Sequence, residues 1–459
     1  MEVSPLLGSK ATGSVGRLPS VRLEALPGVP PERVEQFSRL RGMAMVMAGL
    51  MTFSGSFKEI PVFAAVPIDL TLLTTLGAFT LALAYSILVR SFPAGRSLAV
   101  LFFFTVMASV GSIMTVSTDY GVQKFSRLFI VTIAAGLPIW LMVRTHRDAH
   151  RLIRILMGMA FFLSIFINFW GERQYGFGRL TTEEGTTISF GRAAGFVIIV
   201  IAGWFISSDR VSLVRAVTAI GIAGFAVWTM LAIASKGPIL GLAIGMLAMA
   251  VVQLRRLRIK SGVRLVALFL ALASAILVAW LQIPKLSRDR IIDADDGSTG
   301  SRATAWDFTW ENVTGSPIGN GWGHWDTVAP IDIVYPHNIF LEVWWEAGLI
   351  GLIALCIALW IPIRNMDRTF TMNRFHATTG TGILLYWLAG GLVSGEINDN
   401  KILFILMVAL AAPFVGNDPD EYGMIEVENS NRPDLPERAP TRAEPGEFID
   451  LDEPESIFA

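Results

Sequence analysis

The stretch "YPHNIFLEVWWEAGLIGLI", Tyr335 to Ile353, opens with a histidine and an asparagine and then becomes an apolar run holding Glu342 and Glu346. Read as a helix, it has the length and composition of a membrane span with a titratable imidazole at its mouth. The rest of the chain supports that reading. Of 459 residues, 53% are hydrophobic and 16% are charged, and the mean hydropathy is +0.55. Soluble domains seldom combine such values, so the chain is expected to be an integral membrane protein. The N-terminal "MEVSPLLGSKATGSVGRLPS" lacks the apolar core of a cleavable signal, so the first span is expected to direct insertion. The single cysteine, Cys356, excludes an intramolecular disulfide and a thiolate metal cluster.

Working outward from Tyr335, apolar windows of spanning length predict twelve spans: 42–57, 66–89, 97–116, 125–143, 152–170, 193–207, 213–234, 237–254, 263–283, 338–362, 377–395 and 400–416. The fold expected is all-α and polytopic. Lys and Arg gather in alternate connections, at Arg90 and Arg96, Arg144 to Arg154, Arg210 and Arg215, Arg255 to Arg264, and Arg364 to Arg374. Positive loops stay cytoplasmic, which places those five connections and both termini inside. Residues 1–41 read as a cytoplasmic tail, 42–416 as the membrane domain, and 417–459 as a disordered acidic cytoplasmic tail.

Three connections assigned to the far side break the charge rule. They carry Arg173, Arg179 and Arg192; Lys236; and Lys285, Arg288, Arg290 and Arg302. Such cations read either as solvated loop surface or as an anion site facing outward. The last four lie in the long loop 284–336, where "SRATAWDFTWENV" predicts a short amphipathic helix with Ser301 as N-cap. Trp306, Trp310, Trp322 and Trp325 read either as interfacial anchors or as platforms for sugar rings. In "GSPIGNGWGHW" the glycines let the backbone approach a ligand or the helices below. The "DADD" turn, Asp293 to Asp296, reads as a flexible acidic turn rather than a metal site, and His324 and His376 lack zinc-ligand spacing.

Four segments, in order, resemble the O-antigen ligase and polymerase superfamily: "TISFGRAAG" (Thr187–Gly195), "AIASKGPILGLAIG" (Ala232–Gly245), "GSRATAWDFTWENVTGSPIGNGWG" (Gly300–Gly323) and "HNIFLEVWWEAGLIGLI" (His337–Ile353). The resemblance covers residues 170 to 365, and the outer spans only by hydropathy. It departs at Lys236, where the family usually has Arg. It implies a GT-C-like, membrane-embedded, inverting glycosyltransferase that moves a glycan from an undecaprenyl diphosphate carrier to an acceptor hydroxyl on the periplasmic side. No cofactor and no metal are implied. The expected partners are the lipid-linked donor, a glycan or lipid A–core acceptor, membrane lipids and polysaccharide-assembly proteins, with no nucleic acid.

Departure of a diphosphate without a metal calls for fixed cations, and the resemblance points to Arg192, Lys236 and Arg302, with Arg173, Arg179, Arg288 and Arg290 in support. Attack by a hydroxyl calls for a base, and His337, at a helix N-terminus that disfavours imidazolium, is the candidate. The plainer reading of His337 is a histidine that satisfies the helix end, with Asn338 as N-cap. Glu342 and Glu346, one turn apart, are expected either to orient His337 or brace an arginine, or, for Glu342, to stay hydrated near the surface. The competing reading is a transporter or flippase of lipid-linked saccharide, which should place charges at the bilayer midplane on broken helices. The choice between ligase and polymerase, of O-antigen, capsule or exopolysaccharide, stays open.

Overall fold

The computed structural model describes residues 31–412 apart from 61–62, 64–68, 90–91, 94, 116–117, 174–179, 183–186, 209–210, 256–258, 293–297, 314–316, 330–332 and 371–372. Helices fill almost all of this length: α1 (Pro31–Lys58), α2 (Leu70–Leu88), α3 (Arg96–Ser112), α4 (Asp119–Arg127), α5 (Ala134–Met142), α6 (His146–Trp170), α7 (Thr187–Ser207), α8 (Leu213–Ile233), α9 (Lys236–Leu254), α10 (Ile259–Gln282), α11 (Lys285–Ile292), α12 (Ser298–Asn312), α13 (His324–Val328), α14 (Ile339–Thr369), α15 (Arg374–Val393) and α16 (Lys401–Leu410). A π-helical turn, Leu128–Ile133, joins α4 to α5, and one short hairpin pairs Glu172 with Thr181 and Arg173 with Leu180.

A helix occupies each of the twelve segments expected to span. Seven of the described helices are long and apolar enough to cross a membrane: Leu70–Leu88, Asp119–Met142, His146–Trp170, Ile188–Ser207, Leu213–Ile233, Lys236–Leu254 and Ile339–Thr369. Arg96–Ser112 and Leu270–Gln282 are apolar but shorter. The first helix begins at Pro31, inside the stretch read as a tail. The sixth helix begins at His146 because Thr145 and Asp148 form a capping box there, ahead of the first apolar run. The acidic tail from 417 onward lies outside the described residues.

Small residues set how closely the helices approach. A Cβ on Gly241 would lie 3.0 Å from the Tyr386 carbonyl oxygen, and one on Gly245 would lie 2.8 Å from that of Gly382. The "GLAIG" spacing therefore serves the seam between α9 and α15. Helix α7 runs through the middle of the bundle, with 83% of its apolar window buried. Elsewhere Phe102, Leu247 and Leu277 point outward, as side chains facing lipid do.

Helix α14 is broken at Gly348, whose φ of 66° and ψ of −167° are not helical. The long loop fills the break. Asn320 N donates to the Trp345 carbonyl at 2.8 Å, Gly321 N to that of Glu346 at 3.0 Å, and Ile350 N to that of Pro317 at 3.5 Å. Carbonyls that lose their helical partners at the break are thus satisfied by loop amides. Gly319, Gly321 and Gly323 have φ between 81° and 93°, and Cβ atoms on Gly319 and Gly321 would overlap the backbones at Glu346 and Met114. Trp322 anchors the same loop, donating to the Ala108 carbonyl at 2.9 Å and packing on Gly111. The glycines let the loop approach the helices below, as the sequence allows. Trp322 and Trp325 are fully buried and are neither anchors nor sugar platforms.

At Gly348 an added Cβ would also lie 2.3 Å from the Pro317 carbonyl oxygen. Gly348→Ala is expected to lower the unfolding free energy in detergent by at least about 2 kcal/mol, from the left-handed backbone and the overlap together. Gly158→Ala, where nothing lies within 4 Å, is the control, and a melting temperature lowered equally by both would contradict this account.

Candidate functional site

The N-terminal ends of α7, α9 and α14 and the C-terminal end of α15 meet on one face of the bundle. A Cβ on Gly191 would lie 2.9 Å from Pro238, and one on Gly237 would lie 3.6 Å from Val393 and 3.9 Å from Ser394. Arg192 reaches across α15 and the 3-10 turn Ile397–Asn400 that follows it: one Nη donates to the carbonyls of Gly390 at 2.8 Å and Ser394 at 2.9 Å, the other to Asn400 Oδ1 at 3.3 Å. Its guanidinium carbon lies 5.5 Å from the Trp387 ring centroid. Arg192 is thus buried and committed to helix-end carbonyls, so a diphosphate contact is not what its present bonds serve. Lys236 is half-buried at the start of α9, on the neck of the same Ser394 corner.

Beneath this corner lies a cage that the sequence reading did not identify. Lys124, on α4, places Nζ 2.7 Å from Glu342 Oε1 and 2.8 Å from Glu346 Oε1, and all three side chains are fully buried. Glu342 Oε1 also accepts from Ile397 N at 3.1 Å, and Glu346 Oε1 from Gly323 N at 3.2 Å. Tyr120 donates to Glu396 Oε2 at 2.9 Å, and Asn398 Nδ2 donates to the Lys124 carbonyl and to Glu396 Oε1, both at 3.2 Å. The two glutamates therefore brace a lysine, not an arginine, and Glu342 is not hydrated near the surface. The readable signal was the pair Glu342 and Glu346 inside an apolar run, which requires a counter-cation. Lys124 stood one residue ahead of a span expected at 125–143.

His337 sits above the cage with φ of 56°, a left-handed conformation rare outside glycine. Asn338 caps α14, accepting from Phe340 N at 3.0 Å and Leu341 N at 3.3 Å, as the sequence predicted. The Tyr335 ring centroid is 4.4 Å from that of His337. Trp306 Nε1 donates to the Pro336 carbonyl at 2.8 Å, which holds α12 against the residue preceding His337. Arg302 lies one turn before Trp306 on the same face. Burial first, and then the charge of Arg302, push the His337 pKa down to about 4. The imidazole is therefore neutral at physiological pH, and its buried Nδ1 lacks a partner. The cause of neutrality is desolvation and a guanidinium, where sequence reasoning invoked the helix terminus. Burial, with the neighbouring carboxylates, raises the Tyr335 hydroxyl well above its ordinary range. Tyr335 lies within electrostatic reach of Arg192, Glu342, Glu396 and Asp399, and so connects the two halves of the site.

Among the expected supporting cations, Arg173 is exposed on the short hairpin and Arg288 is half-buried on α11. Arg179, the Arg290 side chain and the "DADD" turn lie outside the described residues. Helix α12 starts at Ser298, ahead of the expected cap at Ser301. No cluster of metal-ligating side chains occurs among the described residues. The arrangement offers an unprotonated imidazole beside a guanidinium, on a rigid base of buried charge.

Removing one partner of a buried ion pair strands the other, at a cost of about 3–5 kcal/mol. Lys124→Met is expected to lose stability of that order, read by thermal unfolding in detergent. Adding Glu342→Gln and Glu346→Gln to it should recover much of the loss, and no recovery would mean that the cage is not the source of the effect.

No curated protein and no solved structure matches the chain. Residues 220–356 match the family model Wzy_C, described as O-antigen ligase. The matched region runs from within α8 to within α14 and contains Lys236, Arg302, His337, Glu342 and Glu346. Over this region the chain is similar to O-antigen ligase, and the match supports the O-antigen ligase and polymerase superfamily that the sequence motifs resemble.

Proposed function

We propose that the protein is a glycosyltransferase that moves a glycan from a polyprenyl diphosphate carrier, in bacteria undecaprenyl diphosphate, to an acceptor hydroxyl on the periplasmic face of the inner membrane. The observation that carries this reading is that α12, held by the Trp306 bond to the Pro336 carbonyl, brings Arg302 within electrostatic reach of His337, 35 positions away in the chain, at the mouth of α14. The neutral His337 imidazole takes the acceptor proton as the hydroxyl attacks the anomeric carbon, and the carbon–oxygen bond to the diphosphate breaks with the electron pair leaving on phosphate. Arg302 and Lys236 offset the charge that develops there, without a metal ion. Attack from the face opposite the leaving group inverts the anomeric centre. An anion seated against Arg302 also cancels the repulsion that depresses the His337 pKa, so donor binding makes the imidazole a stronger base. Arg192 acts one layer deeper, fixing the α15 corner on which α9 and Lys236 rest. Both ligase and polymerase activity, on lipid A–core or on a growing glycan, use this chemistry.

A carrier of lipid-linked saccharide is the second reading, since α14 is broken and holds intramembrane carboxylates. The side chains of Lys124, Glu342 and Glu346 are fully buried, so they do not line a water-filled path.

His337→Ala is expected to reduce glycan transfer by roughly a hundredfold or more while leaving binding of the lipid-linked donor within a few fold. Transport of donor unchanged in this variant, with no transfer detectable in the wild type, would favour the carrier. In kcat/KM profiles, which report the free enzyme, activity should fall as pH drops through about 4. Because Arg302 disfavours imidazolium, Arg302→Gln should raise the His337 pKa and move this acid limb to higher pH, besides slowing the reaction. A limb that stays in place would place Arg302 away from the imidazole. Transfer should persist in excess chelator.

A further inference from the structure

The end of the bundle opposite His337 holds a second feature that glycan transfer leaves unused. Helices α9, α14 and α15 all run from the corner described above to a cavity of about 620 Å³, lined by Val252, Arg255, Trp360, Ile363, Arg364 and Arg368 together with Asp367, Met366, Phe370, Ala377 and Thr381. This volume lies in the range of small-molecule sites. Its floor is apolar: Met366, Phe370 and Ala377 are buried. Its rim is cationic. Arg255, Arg364 and Arg368 are exposed, and among the described residues none of the three guanidinium groups has an ion pair or hydrogen-bond partner. Asp367 is the one carboxylate in the lining, so the site carries a net charge of +2. Trp360, 55% exposed, stands at its outer side one turn inside the arginines.

A chamber that is apolar within, cationic at the rim and flanked by an outward-facing indole matches a molecule with an acidic head and a hydrocarbon body. We propose that this cavity binds an anionic phospholipid. The phosphodiester sits among Arg255, Arg364 and Arg368, and an acyl chain runs past Trp360 and Ile363 along the outer face of α14. Guanidinium suits this role, since its planar fork holds two phosphate oxygens and keeps its proton. Water-exposed arginines alone would attract any anion, but the adjoining apolar floor and the indole favour one that brings its own hydrocarbon. By the positive-inside pattern this end faces the cytoplasm, where anionic headgroups attract clustered arginines. The site is separate from the donor site, since the break at Gly348 and the continuous helix beyond it, about 16 residues or roughly 24 Å of rise to Arg364, lie between it and His337.

The test is lipid retention by the full-length protein, purified from mixed micelles of phosphatidylglycerol and phosphatidylethanolamine and measured by native mass spectrometry. The wild type should retain phosphatidylglycerol in preference by roughly tenfold, and Arg255→Gln/Arg364→Gln/Arg368→Gln should bring the preference near parity. Equal retention of the two lipids by the wild type, or an undiminished preference in the triple variant, would overturn the proposal. Displacement of phosphatidylglycerol by millimolar inorganic phosphate would do so as well, by showing a free-phosphate site. Should the triple variant not fold, tryptophan quenching by chain-brominated phosphatidylglycerol decides. Quenching in the wild type should exceed that in Trp360→Phe, and equal quenching in the two would place the chain elsewhere.

Discussion

One ammonium group held between two carboxylates, away from all solvent, sets the geometry of the outer half of this protein. Lys124 on α4 cannot leave Glu342 and Glu346 without stranding charge in a medium that does not solvate it. Glu342 in turn accepts from the backbone of the turn after α15, and Glu346 from that of the long loop. Four parts of the chain that are remote in sequence are therefore joined at one point, by bonds whose alternatives are all costly. His337 and Asn338 begin the helix that carries both glutamates, so the imidazole inherits its position from the cage below it.

The arrangement separates tasks by depth. Deepest are the groups that are fully bonded, Lys124, Arg192 and their carbonyl and carboxylate partners. Above them stand His337 with an unpartnered Nδ1, Arg302 close enough to depress its protonation, and half-buried Lys236 at the start of α9. Buried Arg192 belongs to the first group.

The sequence made the helical architecture legible because hydropathy reports directly on lipid exposure, and a helix lies in every segment it marked. It also made legible the residues that stand at helix starts, such as Asn338, since capping is a local interaction. What stayed hidden was pairing across long separations. The two glutamates announced that a cation was needed, but nothing local distinguished Lys124 from any boundary lysine. The bonds of Arg192 to Gly390, Ser394 and Asn400 stayed hidden for the same reason: a cation at a span entrance looks alike in sequence whether it faces a ligand or caps another helix. The tryptophans Trp322 and Trp325 suggested a surface function by composition, whereas loop backbone buried against α3 and α14 determined their place.

The break in α14 has a bearing on how substrates arrive. Loop amides at Asn320 and Gly321 complete the backbone bonding of Trp345 and Glu346, so lifting that segment would leave peptide groups bare in an apolar interior. The segment is thus a fixed wall and not a flap. In the glycan transfer proposed above, a donor and an acceptor would therefore have to be admitted without displacing this segment, and the floor beneath His337 would stay still while they bind.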